Sequence, residues 1–191
     1  SLCGSLIEQS PSRADFWLLQ ANAYLGMKET GKAAENFEFV ERLGASTEDS
    51  MLLLGDIYTN MGVFDLANAA YARGFALADG PNSDRVLLAT QRMIGKQALD
   101  EANAALTLVA EAYPDGMPVE VELEVQDLKS RIAVATGDTA ADIAALERTI
   151  ELDPLDGQAL ILLGEQRRRA NEPEEAEFLF DRAIALEEFE G

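Results

Sequence analysis

The feature that most constrains this chain is a recurrence. Sliding the sequence against itself by 34 residues brings small residues into one column at Ala21, Gly55, Ala89, Ser130 and Gly164, with successive spacings of 34, 34, 41 and 34. A second column holds Ala33, Ala67, Ala102 and Ala176, with Asp142 in the remaining slot. Large residues follow four positions later at Phe37, Tyr71, Leu106, Leu146 and Phe180, and Val40, Gly74, Val109, Thr149 and Ala183 lie three further on. Pro11, Pro114 and Pro154 close several of the copies. A supersecondary unit this short cannot bury an apolar face alone, so copies of it must stack on one another.

Each copy reads as two helices. In its second half, large and small residues step at i, i+4 and i+7 (Ala176, Phe180, Ala183), which is one helical stripe. In its first half, the small residue admits close approach of a neighbouring helix and the large one fills the space beside it. Turn signals fall between the halves: "ETGK", "MGVFD", "TGD" and "ANEP". Pro154 stops one helix, and Asp156 offers an N-cap to the next. The extra residues 117–122 contain an alternation of Val119, Val121, Leu123 and Val125 with glutamates that resembles a strand. Yet Val121, Val125, Leu128, Ile132 and Ala135 step as a helix does, and a lone strand would lack a pairing partner, so one long helix over about 118–136 is expected.

The pattern resembles the tetratricopeptide repeat, best in "MLLLGDIYTNMGVFDLANAAYARGFAL" and "ALILLGEQRRRANEPEEAEFLFDRAIAL". The first keeps Leu54, Gly55, Tyr58, Gly62, Ala67 and Tyr71; the second keeps Leu163, Gly164, Ala176, Phe180 and Ala183. Arg92 and Ala133 stand where tyrosine is usual. Five units cover 14–47, 48–81, 82–116, 123–156 and 157–190, as one array, with 117–122 an insertion. Residues 1–13, ending near an in-phase Pro11 and lacking an initiator methionine, read as the second helix of an upstream repeat in a longer chain. The resemblance implies an all-α solenoid of antiparallel hairpins with a right-handed superhelix, whose first helices line a concave groove that holds a peptide. It also implies where a carboxylate-clamping set would sit: Leu18, Asn22, Leu53, Ser83 and Leu87, of which only Asn22 has the expected chemistry.

Composition narrows the functions. With no histidine and one cysteine (Cys3, expected to be a buried helix thiol), the chain has no Ser-His or Cys-His pair, no usual zinc set and no disulfide. No phosphate-binding glycine loop is present, and "LDPLDG" lacks the acid spacing of a calcium loop. Catalysis, metals and cofactors are therefore not expected. The net charge is −20, with 12 acids against 7 bases in residues 1–95 and 23 against 8 in 96–191, which disfavours nucleic acid. No apolar run reaches the length of a membrane span and no signal peptide is visible, so a soluble chain, cytoplasmic or periplasmic, is expected.

The expected function is a protein–protein interaction scaffold. Its groove would be lined by Leu18, Asn22, Leu25, Leu52, Leu53, Leu87, Leu128, Ile161 and Leu162, with Arg131 at one end. Asp15, Asp49, Asp56 and Glu165 would flank it, suiting an apolar and basic partner. Arg167–Arg169 form either an anion site at the groove's end or, as charge runs usually do, ion pairs with Glu165, Glu172, Glu174 and Glu175. The last helix carries a wide apolar arc of Phe178, Leu179, Phe180, Ile184, Leu186 and Phe189. That arc supports the alternative function, a structural array self-assembling through its terminal helices into a homo-oligomer.

Overall fold

A computed structural model describes the backbone of residues 2–190 and the side chains of residues 3–186; Phe189 of the apolar arc lies outside the described side chains. The described residues form helices α1 (Leu2–Gln9), α2 (Ala14–Gly26), α3 (Thr30–Arg42), α4 (Glu48–Met61), α5 (Phe64–Leu77) and α6 (Asp84–Gly95). There follow α7 (Leu99–Glu111), α8 (Val119–Thr136), α9 (Thr139–Leu152), α10 (Gly157–Arg169) and α11 (Pro173–Glu190), with no strand among the described residues. The insertion is helical from Val119 onward, Pro118 serving as the N-cap of α8 with its fixed backbone just outside the first turn. Cys3 is half-buried in α1 rather than buried.

Caps and turns explain where the helices begin and end. Thr47 closes a reciprocal capping box with Ser50 at the start of α4. Asp138 and Asp156 accept the backbone N–H of Ala141 (3.0 Å) and Ala159 (2.8 Å), each satisfying an N–H that the helix itself leaves unpaired. Between the two helices of every unit one residue adopts the left-handed conformation: Lys28, Gly62, Gln97, Gly137 and Asn171, with φ from 61 to 76°. Glycine and asparagine hold three of these positions, as sterics favour. Lys28 and Gln97 are the exceptions, and "ETGK" lies one step beyond the first turn, Gly31 being already inside α3.

The chain divides into two compact units, Ser1–Met93 and Ile94–Gly191. In the first, α2 pairs with α3 and α4 with α5, while α1 lies on α2. Trp17 stacks on Phe39 with ring centroids 4.1 Å apart and donates its indole N–H to the Pro11 carbonyl at 2.8 Å. Between α4 and α5, Tyr71 lies against Gly55, and Leu52 lies against Gly74. A side chain at Gly55 would push the Tyr71 ring and its helix away, whereas at Gly74 the end of the flexible Leu52 side chain would have to give.

In the second unit, α9 is sandwiched by α8 and α10, and α10 pairs with α11. Leu146, Ala159, Leu160, Leu163, Leu179 and Ala183 form its core, with Phe180 against Gly164 as Tyr71 is against Gly55. Here the alanine column is broken by Asp142, which is buried. Its carboxylate accepts the Ser130 hydroxyl at 2.5 Å and the Gln166 amide at 2.6 Å, so three helices meet on one acid. Buried polar groups persist where each is hydrogen-bonded in this way.

Candidate interaction groove

The open side of the first unit is built from the first helices of its repeats. On an α-helix a one-residue step turns a side chain by about 100°, so neighbouring leucines face different surroundings. In α4, Leu52 points to α5 and is 2 % exposed, whereas Leu53 is half-buried on the open side. One and two helical turns further along that side lie Asp56 and Asn60, with the buried Ile57 between them in sequence.

The same side of α6 presents Leu88, not Leu87. Thr90 and Met93 are fully buried where Gly55 and Tyr58 sit in α4, and the left-handed Gln97 follows Gly62 by 35 residues. The third repeat is therefore offset by 35 residues, which moves Ala89 out of the small-residue column and Arg92 out of the tyrosine position. Leu87 then matches Leu52 and is 1 % exposed, while Leu88 matches Leu53 and is 49 % exposed. In α2 the matching residue is Leu19, 51 % exposed. These offsets place one leucine at the same position of all five repeats: Leu19, Leu53, Leu88, Leu128 and Leu162.

The groove residues expected from sequence thus separate. Leu52 and Leu87 belong to the core, because the stripe facing the second helix claims them. Leu128 is fully buried although it holds the position of Leu53 and Leu88, so the fourth repeat closes over a residue that the others leave open. Leu18 and Leu25 are half-buried on α2, and Asn22 is exposed. Leu25, Leu53 and Leu88 come together with Thr30, Asp56, Asn60, Arg85 and Arg92 around a groove of about 280 Å³ in the first unit. In the second unit Ile161 and Leu162 are exposed, and Leu162 faces Leu123, Gln126, Asp127 and Ser130 across a smaller depression. Sequence reasoning missed Leu19, Leu88, Arg85 and Arg92; the offset of the third repeat was the signal that could have found Leu88.

The charges also differ from expectation. Asp56 does not flank the groove as a free acid: Arg85 donates to one carboxylate oxygen at 2.7 Å and the Tyr71 hydroxyl to the other at 3.0 Å. Burial, together with the neighbouring Asp56 carboxylate, holds the Tyr71 phenol well above the usual tyrosine value despite the opposing Thr59 contact. Asp15 is bound by Arg13, and Glu165 lies 3.5 Å from Arg169, while Asp49 stays exposed. Arg131 is an exposed residue paired with Asp127 at 3.6 Å. Arg167 is ringed by Glu147, Glu172 (3.0 Å) and Glu175 (3.3 Å), so of the arginine run it is this residue whose ion pairs tie α9, α10 and α11 together.

No family model matches the sequence, and no curated protein matches it. Solved structures do match in shape. The chain is similar to YrrB, a TPR protein with an unusual peptide-binding site, at 16 % identity and TM-score 0.53, covering 97 % of this chain and 92 % of that one. It is similar to a MamA protein at 18 % identity and TM-score 0.58, covering 92 % of each chain. MamA from Desulfovibrio magneticus RS-1 matches at 15 % identity and TM-score 0.52, over 92 % of this chain and 95 % of that one. The chain has the all-helical tetratricopeptide-repeat fold. Among the described residues no helix is long and apolar enough to cross a membrane.

Proposed function

We propose that this chain is a non-catalytic scaffold that binds a peptide or protein segment along the open side of α2, α4 and α6. The observation that carries this reading is the groove formed by Leu25, Leu53 and Leu88, bordered by side chains able to donate and accept hydrogen bonds. Apolar residues left open at matching positions of successive repeats supply anchor points at a regular spacing. Burying a partner's side chain on them is favourable by about 25 cal/mol per Å² of apolar surface. The peptide-binding site of YrrB is a precedent on the same fold, at an identity too low to transfer residues.

Display of a random peptide library on the wild-type chain, on Leu53→Asp and on Leu88→Asp tests the reading. Enriched peptides should carry apolar anchors and lose binding to both variants, while the variants keep their melting temperature within a few degrees. Binding indifferent to both substitutions would exclude this groove. Leu52→Asp is unsuitable for this purpose: it places a charge in the α4–α5 core and should unfold that hairpin.

A second reading, self-assembly, is favoured by Phe178 and Ile184, both more than half exposed on α11. Light scattering over a range of concentrations separates the two: an unchanging monomer mass excludes self-assembly.

A further inference from the structure

We infer that the groove of the first unit selects segments carrying a carboxylate side chain beside an apolar anchor, with Arg92 as the residue that reads the carboxylate. The inference rests on the proposed groove and names the chemistry of its occupant. It does not follow from the chain's overall charge, which is −20 and points the other way. It follows from how charge is distributed among the residues lining this one groove.

Three charged side chains line it: Asp56, Arg85 and Arg92. Asp56 and Arg85 neutralise each other at 2.7 Å, and the second Asp56 oxygen is taken by Tyr71. Arg92 forms no ion pair among the described residues; its Nη1 donates to the neutral Asn60 Oδ1 at 2.7 Å. The groove therefore carries one uncompensated positive charge next to Leu88 and Leu53. A guanidinium has five N–H donors in a planar fork, and a single contact with Asn60 leaves donors for a carboxylate to engage in bidentate fashion. Asn60 holds one edge of the fork, which lowers the rotamer freedom lost on binding.

The position follows from the offset of the third repeat. Arg92 matches the buried Ile57 of α4, yet is itself exposed and lines the groove, as a long side chain with a charged end can. It lies outside the clamp set, whose third-repeat positions the offset moves from Ser83 and Leu87 to Asp84 and Leu88; of Leu18, Asn22, Leu53, Asp84 and Leu88 only Asn22 has the chemistry to bind a carboxylate. An acidic segment is otherwise repelled by this chain, so Arg92 gives specificity: a carboxylate elsewhere on the surface meets like charge, and one set beside an anchored leucine meets a cation.

The test uses short peptides, acetylated and amidated so that no terminal charge contributes, with a central leucine and a neighbouring glutamate, glutamine or lysine. Affinities are read by titration into isotope-labelled protein followed by amide NMR. Wild type should bind the glutamate peptides about tenfold more tightly than the glutamine peptides, since charge-assisted hydrogen bonds exceed neutral ones. The preference should vanish in Arg92→Gln, return in part in Arg92→Lys, and persist in Arg168→Gln, which removes a charge from the other unit. Equal binding of glutamate and glutamine peptides, still sensitive to Leu53→Asp, overturns the role of Arg92 and leaves the groove standing. A glutamate preference that survives Arg92→Gln overturns it as well. Binding of no peptide overturns both readings.

Discussion

Tyr71 sits so close to Gly55 that a β-carbon there would lie 2.3 Å from ring atom Cε1. The ring cannot retreat: it is fully buried, and its hydroxyl is held by Asp56 and Thr59. Phe180 stands in the same relation to Gly164, at 2.6 Å, but without a hydroxyl to pin it. Gly55→Ala should therefore destabilise by about 1–3 kcal/mol, and Gly164→Ala by less. Gly31, in the first turn of α3, has no atom within 4 Å of its would-be β-carbon. Gly31→Ala should raise stability by up to about 1 kcal/mol through helix propensity alone. Denaturant melts of the three variants check the order; a neutral Gly55→Ala would contradict the contact.

The left-handed turns make an opposite prediction for two non-glycine residues. Lys28 and Gln97 hold φ of 62 and 61° in positions where Gly62 and Gly137 sit in other repeats. Among the described residues, the side chain of Gln97 is held in this turn by a long bond, 3.4 Å to the Ile94 carbonyl. Gln97→Gly and Lys28→Gly should each stabilise by roughly 1 kcal/mol, the left-handed penalty outweighing the entropy that glycine adds to the unfolded chain. A lower melting temperature in either variant would show that the side chain contributes more than its backbone strain.

Ser130 and Asp142 should prove coupled. Ser130→Ala removes one of two donors from a buried carboxylate and should cost about 1.5–3 kcal/mol, the range for hydrogen bonds to charged groups. In an Asp142→Ala background the same change only restores two small residues to the small-residue columns, and should cost almost nothing. A double-mutant cycle by chemical denaturation measures the difference. Additive effects would mean that the acid is held chiefly by Gln166.

Two phenols set the alkaline limit. Tyr58 is buried and donates to Glu38, and both effects raise its value above the ordinary one; Tyr71 is raised chiefly by burial. A raised folded value means that stability is complete below the unfolded tyrosine value near about 10 and is lost as pH climbs above it. Stability should fall by about 1.4 kcal/mol per pH unit for each phenol in that range. Tyr58→Phe should flatten the decline above pH 10, read as melting temperature by circular dichroism. An unchanged slope would show that Tyr58 ionises as freely in the folded chain as in the unfolded one.

Much of this fold is written locally. The small and large columns anticipated the contacts of Gly55 with Tyr71 and Gly164 with Phe180, because residues sixteen apart meet whenever two helices of this length fold back on each other. Likewise, the 4-and-3 stepping from Val121 to Ala135 decided between strand and helix for the insertion, since only the helix brings those residues to one face. "TGD" announced its turn and Asp156 its cap, through short-range bonds that depend on nothing distant; the cap by Asp138 was not read from the sequence.

The site depended on what lies far apart. Ala89 and Thr90 are both small enough for the column, so the first helix alone left the one-residue offset of the third repeat open. The spacing of 35 from Ala67 to Ala102 and from Tyr71 to Leu106 carried it, but only the fold shows that α6 shares it. That offset turns α6 by about 100°, exchanging Leu87 for Leu88 on the open side and bringing Arg92 into the groove. The sign of the groove's charge was likewise beyond any periodicity. Asp56 reads as an acidic flank in sequence, and its charge is compensated only because folding carries Arg85, twenty-nine residues away, to its carboxylate. Periodicity records which residues a helix turns inward; which charges meet across helices is decided by tertiary packing alone.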